Sequence, residues 1–172
     1  MDRQNIFLIG PMGCGKTEVG IILAKRLERS FCDIDVRIAT LTGNSVETIF
    51  KKEGEAGFRK YEAEVLRELS KQQDWVVATG GGVVMSEENR AILKQTGYVF
   101  YLKLDYATRL ERLGDGRGRP LLAGNSYEEI ADITQRLDRI RTPLYEEVSN
   151  HTVYNAGSLH NTVDEIARMV EA

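Results

Sequence analysis

Cysteine is scarce in this sequence. Its 172 residues include two, Cys14 and Cys32, with no CxxC pair and no zinc-ligand spacing. A disulfide scaffold is therefore excluded, and a reducing compartment is expected. Histidine is equally rare. His151 and His160 stand alone, and neither joins a metal-ligand or Ser-His-Asp pattern. Long apolar runs are missing as well. The run from Ile6 to Gly10 is too short for a signal-peptide core or for a membrane span of ~20 residues, so a soluble cytoplasmic protein with no membrane partner is expected. Charge is not biased to one sign. The formal net charge is −3, which gives no field for nucleic acid, and no nucleic-acid partner is expected. Hydrophobic residues make up 42% and charged residues 28%, an ordinary balance that disfavours disorder, collagen and coiled coil. At ~150 residues per domain the whole chain, 1–172, reads as a single domain. No long exposed apolar stripe demands a partner, so a monomer is expected.

Proline too is sparse, at 3, but glycine is not, at 16. Nine of the glycines fall in three groups: Gly10, Gly13 and Gly15; Gly80, Gly81 and Gly82; Gly114, Gly116 and Gly118. Grouped glycine marks backbone that approaches something closely or that must move.

Apolar runs alternate with helical periods. Strands are expected at 5–9, 31–35, 75–79, 98–104 and 151–155, with helices between them. Helix 16–28 follows the first strand. The stretch 45–71 is helical with an interruption around Gly54 and Gly57. Ser126 with Glu129 reads as a capping box opening a helix whose Ile130, Ile133, Leu137, Ile140 and Leu144 form a core stripe. Pro143 is expected to break or kink that helix, and Thr162 with Glu165 to cap the last one. Such alternation implies a parallel sheet covered on both faces, with ligands bound at the carboxyl ends of the strands.

The residues just past each strand's carboxyl end are therefore the candidates for chemistry. After the first strand comes Gly10-Pro-Met-Gly-Cys-Gly-Lys16-Thr17, a G-x-x-x-x-G-K-[ST] phosphate loop in its required strand–loop–helix setting. Its amides and the helix N-terminus hold phosphate oxygens, Lys16 reaches the β/γ-phosphates, and Thr17 offers a hydroxyl to Mg²⁺. Cys14 inside the loop needs only its backbone there. After the second strand, Asp33 and Asp35 sit on the same side of an extended chain by alternation, one suited to the Mg²⁺ shell and one to accepting a hydroxyl proton. After the third stands Thr79-Gly80-Gly81-Gly82, a turn open to a ligand, with no acidic residue to serve Mg²⁺. The segment 113–124, with Gly114, Gly116, Arg117, Gly118 and Arg119, reads as a cation-bearing lid. Arg59 has Glu62 one turn on, and Arg141 precedes Pro143.

These motifs, in order and correctly spaced over nearly the whole chain, resemble the shikimate kinase family. They are Ile-Gly-Pro-Met-Gly-Cys-Gly-Lys-Thr, Asp33-Ile-Asp35, Gly-Glu-Ala-Gly-Phe-Arg59, Thr-Gly80-Gly-Gly82, Arg119-Pro-Leu-Leu and Arg141-Thr-Pro-Leu-Tyr145. The resemblance implies a P-loop α/β fold with a five-stranded parallel sheet in 2-3-1-4-5 order. It also implies a substrate-binding segment at about 33–62 and a lid at about 113–124. The implied activity is phosphoryl transfer from ATP, with Mg²⁺, to the 3-hydroxyl of shikimate. Catalysis would then fall to Lys16, Asp35 and Arg119. Nucleotide would be held by Gly13, Cys14, Gly15, Lys16, Thr17, Glu18, Arg112 and Arg119, and Mg²⁺ by Thr17 and Asp33. Shikimate would lie against Asp35, Arg59, Gly80, Gly81, Gly82 and Arg141.

Other readings fit less well. A gluconate-type kinase does not require both the Gly-Phe-Arg59 and Arg141-x-Pro-Leu-Tyr elements. A GTPase switch needs a polar residue where Leu102 begins Leu-Lys-Leu-Asp105. A silent binding relative would not keep Lys16, Thr17, Asp33, Asp35, Arg59, Arg119 and Arg141 together. The segment 154–160 offers no recognisable base-contacting side chain.

Overall fold

The computed structural model describes residues 3–172. Five parallel strands, β1 (Asn5–Ile9), β2 (Ser30–Asp33), β3 (Trp75–Ala78), β4 (Gly97–Lys103) and β5 (His151–Tyr154), form one sheet in the order β2-β3-β1-β4-β5. The described residues also form seven α-helices, α1 (Lys16–Arg26), α2 (Ile34–Thr42), α3 (Val46–Ser70), α4 (Glu87–Thr96), α5 (Tyr106–Leu113), α6 (Tyr127–Val148) and α7 (Leu159–Glu171), of which α5 packs against α6 and Leu122 rather than on the sheet.

β1 is buried at all five positions, as expected of a central parallel strand covered on both sides. Its alternate residues feed different cores. Phe7 and Ile9 join Val77, Val99 and Tyr101 under α2, α3, α4 and α6. Ile6 and Leu8 join Val76, Phe100 and Leu102 under α1 and α7. After β1 the chain therefore turns to the α1/α7 face, whereas after β3, its hydrogen-bonded neighbour, it turns to the opposite face. Two adjacent strands whose continuations diverge leave a crevice between their carboxyl ends. No described helix is long and apolar enough to cross a membrane.

Several local expectations are corrected. β2 stops at Asp33, so Asp33 and Asp35 do not share a strand face. Asp33 is the N-cap of α2, its Oδ1 accepting from the backbone N–H of Asp35 (2.9 Å) and Val36 (3.2 Å), and Asp35 lies in the first helical turn. A capping carboxylate is stable there because it satisfies otherwise unpaired amides. The α3 interruption is confined to Gly54, whose φ of 71° is left-handed, and Gly57 is helical. α6 continues through Pro143 to Val148. One lost backbone hydrogen bond is offset there by the buried Tyr145 and Val148. The buried face of α6 runs through Ile130, Thr134, Arg141 and Tyr145, so Ile140 is exposed rather than core. α7 is capped by Ser158, and Thr162 lies inside it, buried. The Ser126–Glu129 capping box is formed as expected.

Candidate active site

A cleft of about 650 Å³ opens at the crevice between β1 and β3. One wall is the loop between β1 and α1. Gly10, Gly13 and Gly15 there have φ of 146°, 80° and 93°, which side-chain-bearing residues rarely adopt. Gly13, Gly15, Lys16, Thr17 and Glu18 line the cleft. Lys16 Nζ lies back over the loop and donates to the carbonyls of Gly10 (2.7 Å) and Pro11 (2.9 Å). The side chains of Arg117 and Cys14 are not in the cleft: the lid residue Arg117 is exposed and pairs with Asp115 (3.3 Å), and Cys14 does not line it. Cys14 is buried in the core between β1 and α1, where its Sγ accepts from Lys16 Nζ at 3.7 Å.

At the next strand end, Thr17 Oγ1 donates to Asp33 Oδ2 at 2.6 Å. Asp33 thus bonds the helix-capping amides through one oxygen and the loop hydroxyl through the other. Asp35 also lines the cleft, and its Oδ1 is buried without a hydrogen-bond partner. Burial, reinforced by the Asp33 carboxylate, raises the Asp35 carboxyl above its ordinary range, while Lys16, Arg59 and Arg119 oppose the shift.

The Gly80–Gly82 turn supplies the floor. None of its three residues has a positive φ, so backbone conformation does not demand glycine here; close approach does at Gly80 and Gly82. A Cβ on Gly82 would fall 2.6 Å from Arg59 Cζ, one on Gly80 2.9 Å from Glu62 Oε2, and one on Gly81 3.4 Å from Arg141 Nη1. Two guanidinium groups therefore converge on one turn. Arg59 is held by Glu62 (2.9 Å) and Glu55 (3.0 Å). Glu62 is fully buried, and burial raises its carboxyl, with Arg59 opposing. Arg141 is 5% exposed, its Nε is buried without a partner, and no carboxylate among the described residues pairs with it. Tyr145, one turn along α6, donates its hydroxyl to the Gly81 carbonyl and fixes the turn against the helix.

Arg112 and the lid residues Gly118 and Arg119 complete the rim. The lid is tied to α3 by a bond from Gly118 N–H to Glu47 Oε1 (3.1 Å), and its base by the buried Leu122. Sequence reasoning missed the apolar wall of Val46, Phe50 and Phe58, whose two rings sit 5.0 Å apart across the Gly54 kink. The glycine interrupting α3 was the available signal. The buried amide of Asn155, beneath the phosphate loop, had no signal at all.

The arrangement sets a phosphate cradle, a pair of hard oxygen donors, a buried carboxylate and two guanidinium groups around one cavity. Residues 12–171 match the shikimate kinase family. A shikimate kinase from Thioalkalivibrio sulfidiphilus is 46% identical over 166 residues, covering 96% of this chain and 86% of the relative. Another, from Methylococcus capsulatus, is 42% identical over 99% of this chain and 93% of its own length. The structure of the Acinetobacter baumannii shikimate kinase in complex with shikimate is similar to this one with a TM-score of 0.92 and 42% identity, over 97% of this chain and 92% of that one.

Proposed function

The chain belongs to the shikimate kinase family, and we propose that its cleft transfers the γ-phosphoryl group of ATP to the 3-hydroxyl of shikimate, giving shikimate 3-phosphate and ADP. The observation that carries this reading is Arg141. It is a buried guanidinium with no carboxylate partner, set beside Arg59 on a glycine turn and facing a phosphate loop. A buried cation without a counter-ion is costly, and a planar carboxylate bound between two guanidinium groups removes that cost. Shikimate carries one carboxylate and several hydroxyls, which suits this half of the cleft.

The loop amides around Gly13 and Gly15, with the N-terminus of α1, hold the nucleotide phosphates. Lys16 exchanges the Gly10 and Pro11 carbonyls for phosphate oxygens, and Glu18 and Arg112 flank the nucleotide. Thr17 and Asp33 fit Mg²⁺: two hard oxygens lie 2.6 Å apart at the phosphate end, and no group of three His, Cys, Asp or Glu able to hold a metal occurs among the described residues. That suits an ion which keeps most of its shell as water and phosphate. When bound, Mg²⁺ neutralises charge on the phosphate oxygens. Asp35 orients the attacking hydroxyl and takes its proton late, because the transition state is loose. Arg119 adds positive charge at the transferring group as segment 113–124 closes and excludes water.

A coupled ADP-release assay across shikimate, gluconate and nucleoside monophosphates tests this. Turnover is expected with MgATP and shikimate only. Turnover with gluconate and none with shikimate would overturn the reading.

A further inference from the structure

We propose that Asn155 is a positioning residue for the phosphate loop, holding the Cys14–Gly15 peptide so that its N–H faces the nucleotide. This inference rests on the phosphate-loop reading above and concerns a residue that touches no substrate.

Asn155 follows β5 and is 3% exposed. Its backbone N–H donates to the Lys103 carbonyl at 2.7 Å, which fixes the residue to the end of β4. Its side-chain Nδ2 donates to the Cys14 carbonyl at 2.8 Å, across 141 positions of sequence. Its Oδ1 accepts from Thr162 Oγ1 of α7 at 3.0 Å. The orientation of the amide is determined by chemistry: a carbonyl can only accept, so the atom facing Cys14 must be the N–H₂ end.

The consequence comes from peptide geometry. In a planar trans peptide, C=O and N–H point in opposite directions. Drawing the Cys14 carbonyl back toward Asn155 turns the Gly15 N–H the other way, and Gly15 lines the cleft. Gly15 is the N-cap of α1, with no side-chain cap bond of its own. A Cβ on Gly15 would collide with the Asn155 amide, so the two residues pack as a matched pair. A buried carbonyl left without its donor would be free to rotate, and the N–H of the same peptide would rotate with it. Asn155 and Thr162 thus link the β5–α7 corner to the phosphate site, and neither contributes to the Arg59/Arg141 half.

The test measures both affinities by calorimetry on the intact protein, with MgADP and shikimate as separate probes. Asn155→Leu keeps the approximate volume and removes the donor without adding a charge. Losing one buried hydrogen bond of this kind predicts MgADP binding weakened about tenfold, with shikimate binding within about twofold of wild type. A general packing defect would not separate the two ligands. MgADP affinity within about twofold of wild type, or equal loss for both ligands, overturns the proposal. If Asn155→Leu does not fold, Thr162→Val decides. It frees the amide without changing the core shape, and the same ligand split is expected at about threefold. An unchanged MgADP affinity there refutes the proposal equally. Failure of the wild-type protein itself to bind MgADP would instead sink the nucleotide reading on which it rests.

Discussion

Replacing Arg141 with Met should move stability and substrate affinity independently. The guanidinium lies 5% exposed on α6, beside Gly81, with its Nε unpartnered and no carboxylate bonded to it in the free protein. Keeping an unpaired charge there costs the folded state, and Met fills similar volume without a charge. Apoprotein stability should therefore stay within about 1 kcal/mol of wild type, or rise. Truncating one partner of a desolvated, hydrogen-bonded charge pair costs about 3 kcal/mol, so shikimate binding should weaken roughly 100-fold. Nucleotide binding should change far less, because Arg141 lies beside Pro11 and Met12 at the start of the phosphate loop and is not among the groups nearest Gly13 and Gly15. Urea unfolding of the apoprotein gives the first quantity, and calorimetric titrations with shikimate and with MgADP give the others. Unchanged shikimate affinity would refute the carboxylate assignment. A stability loss above about 2 kcal/mol would show instead that Arg141 is a structural residue whose partner has been misjudged.

Other residues give two further expected outcomes. Asp35 binds its proton more tightly folded than unfolded, because its carboxyl is raised above the ordinary 3.8 by burial. Its contribution to stability therefore falls as pH rises from about 3.8 through the raised value and is unfavourable at neutral pH. Asp35→Asn should stabilise the apoprotein at pH 7, with a gain that shrinks toward pH 3.8 in urea melts, while kcat falls by about 10²–10⁴; a loss of stability at pH 7 would count against the burial argument. Gly82→Ala and Gly10→Ala should separate two uses of glycine. Gly82 has φ −95°, which alanine accepts, so the methyl group displaces the Arg59 guanidinium: stability should drop by less than about 1 kcal/mol while the shikimate KM rises. Gly10 has φ 146° and a Cβ there would lie 2.6 Å from the Leu102 carbonyl, so about 3 kcal/mol of stability should be lost. Equal losses in unfolding experiments would contradict this distinction.

Much of the site was legible because phosphate binding imposes a local pattern. A phosphate loop needs glycines at particular spacings, then Lys and Thr at the start of a helix, and all of these are adjacent in sequence. The glycine turn and the arginine motifs were legible as segments, but the reason for the glycine was not. At Gly80–Gly82 the backbone is unremarkable, and the space is taken by Glu62, Arg59 and Arg141 from helices distant in the chain. The misplaced boundaries have a shared cause. Asp33 and Thr162 are residue types that cap helices. Asp33 does so two positions before the expected strand end at 35, whereas Thr162 turns its hydroxyl to a tertiary partner instead.

By itself the sequence determined the alternation of strands and helices and the phosphate loop, since each depends on short-range periodicity or steric rules, whereas the strand order came only as an implication of the family resemblance. Only the tertiary structure decided which charges are paired. It sets Arg59 against the buried Glu62, leaves Arg141 with no ion-pair partner among the described residues, and brings Asn155 under a loop 141 positions away. Pairing depends on distance and burial in three dimensions, and no local pattern carries that information. It is this distribution of satisfied and unsatisfied polar groups that makes the cleft ready for an anion.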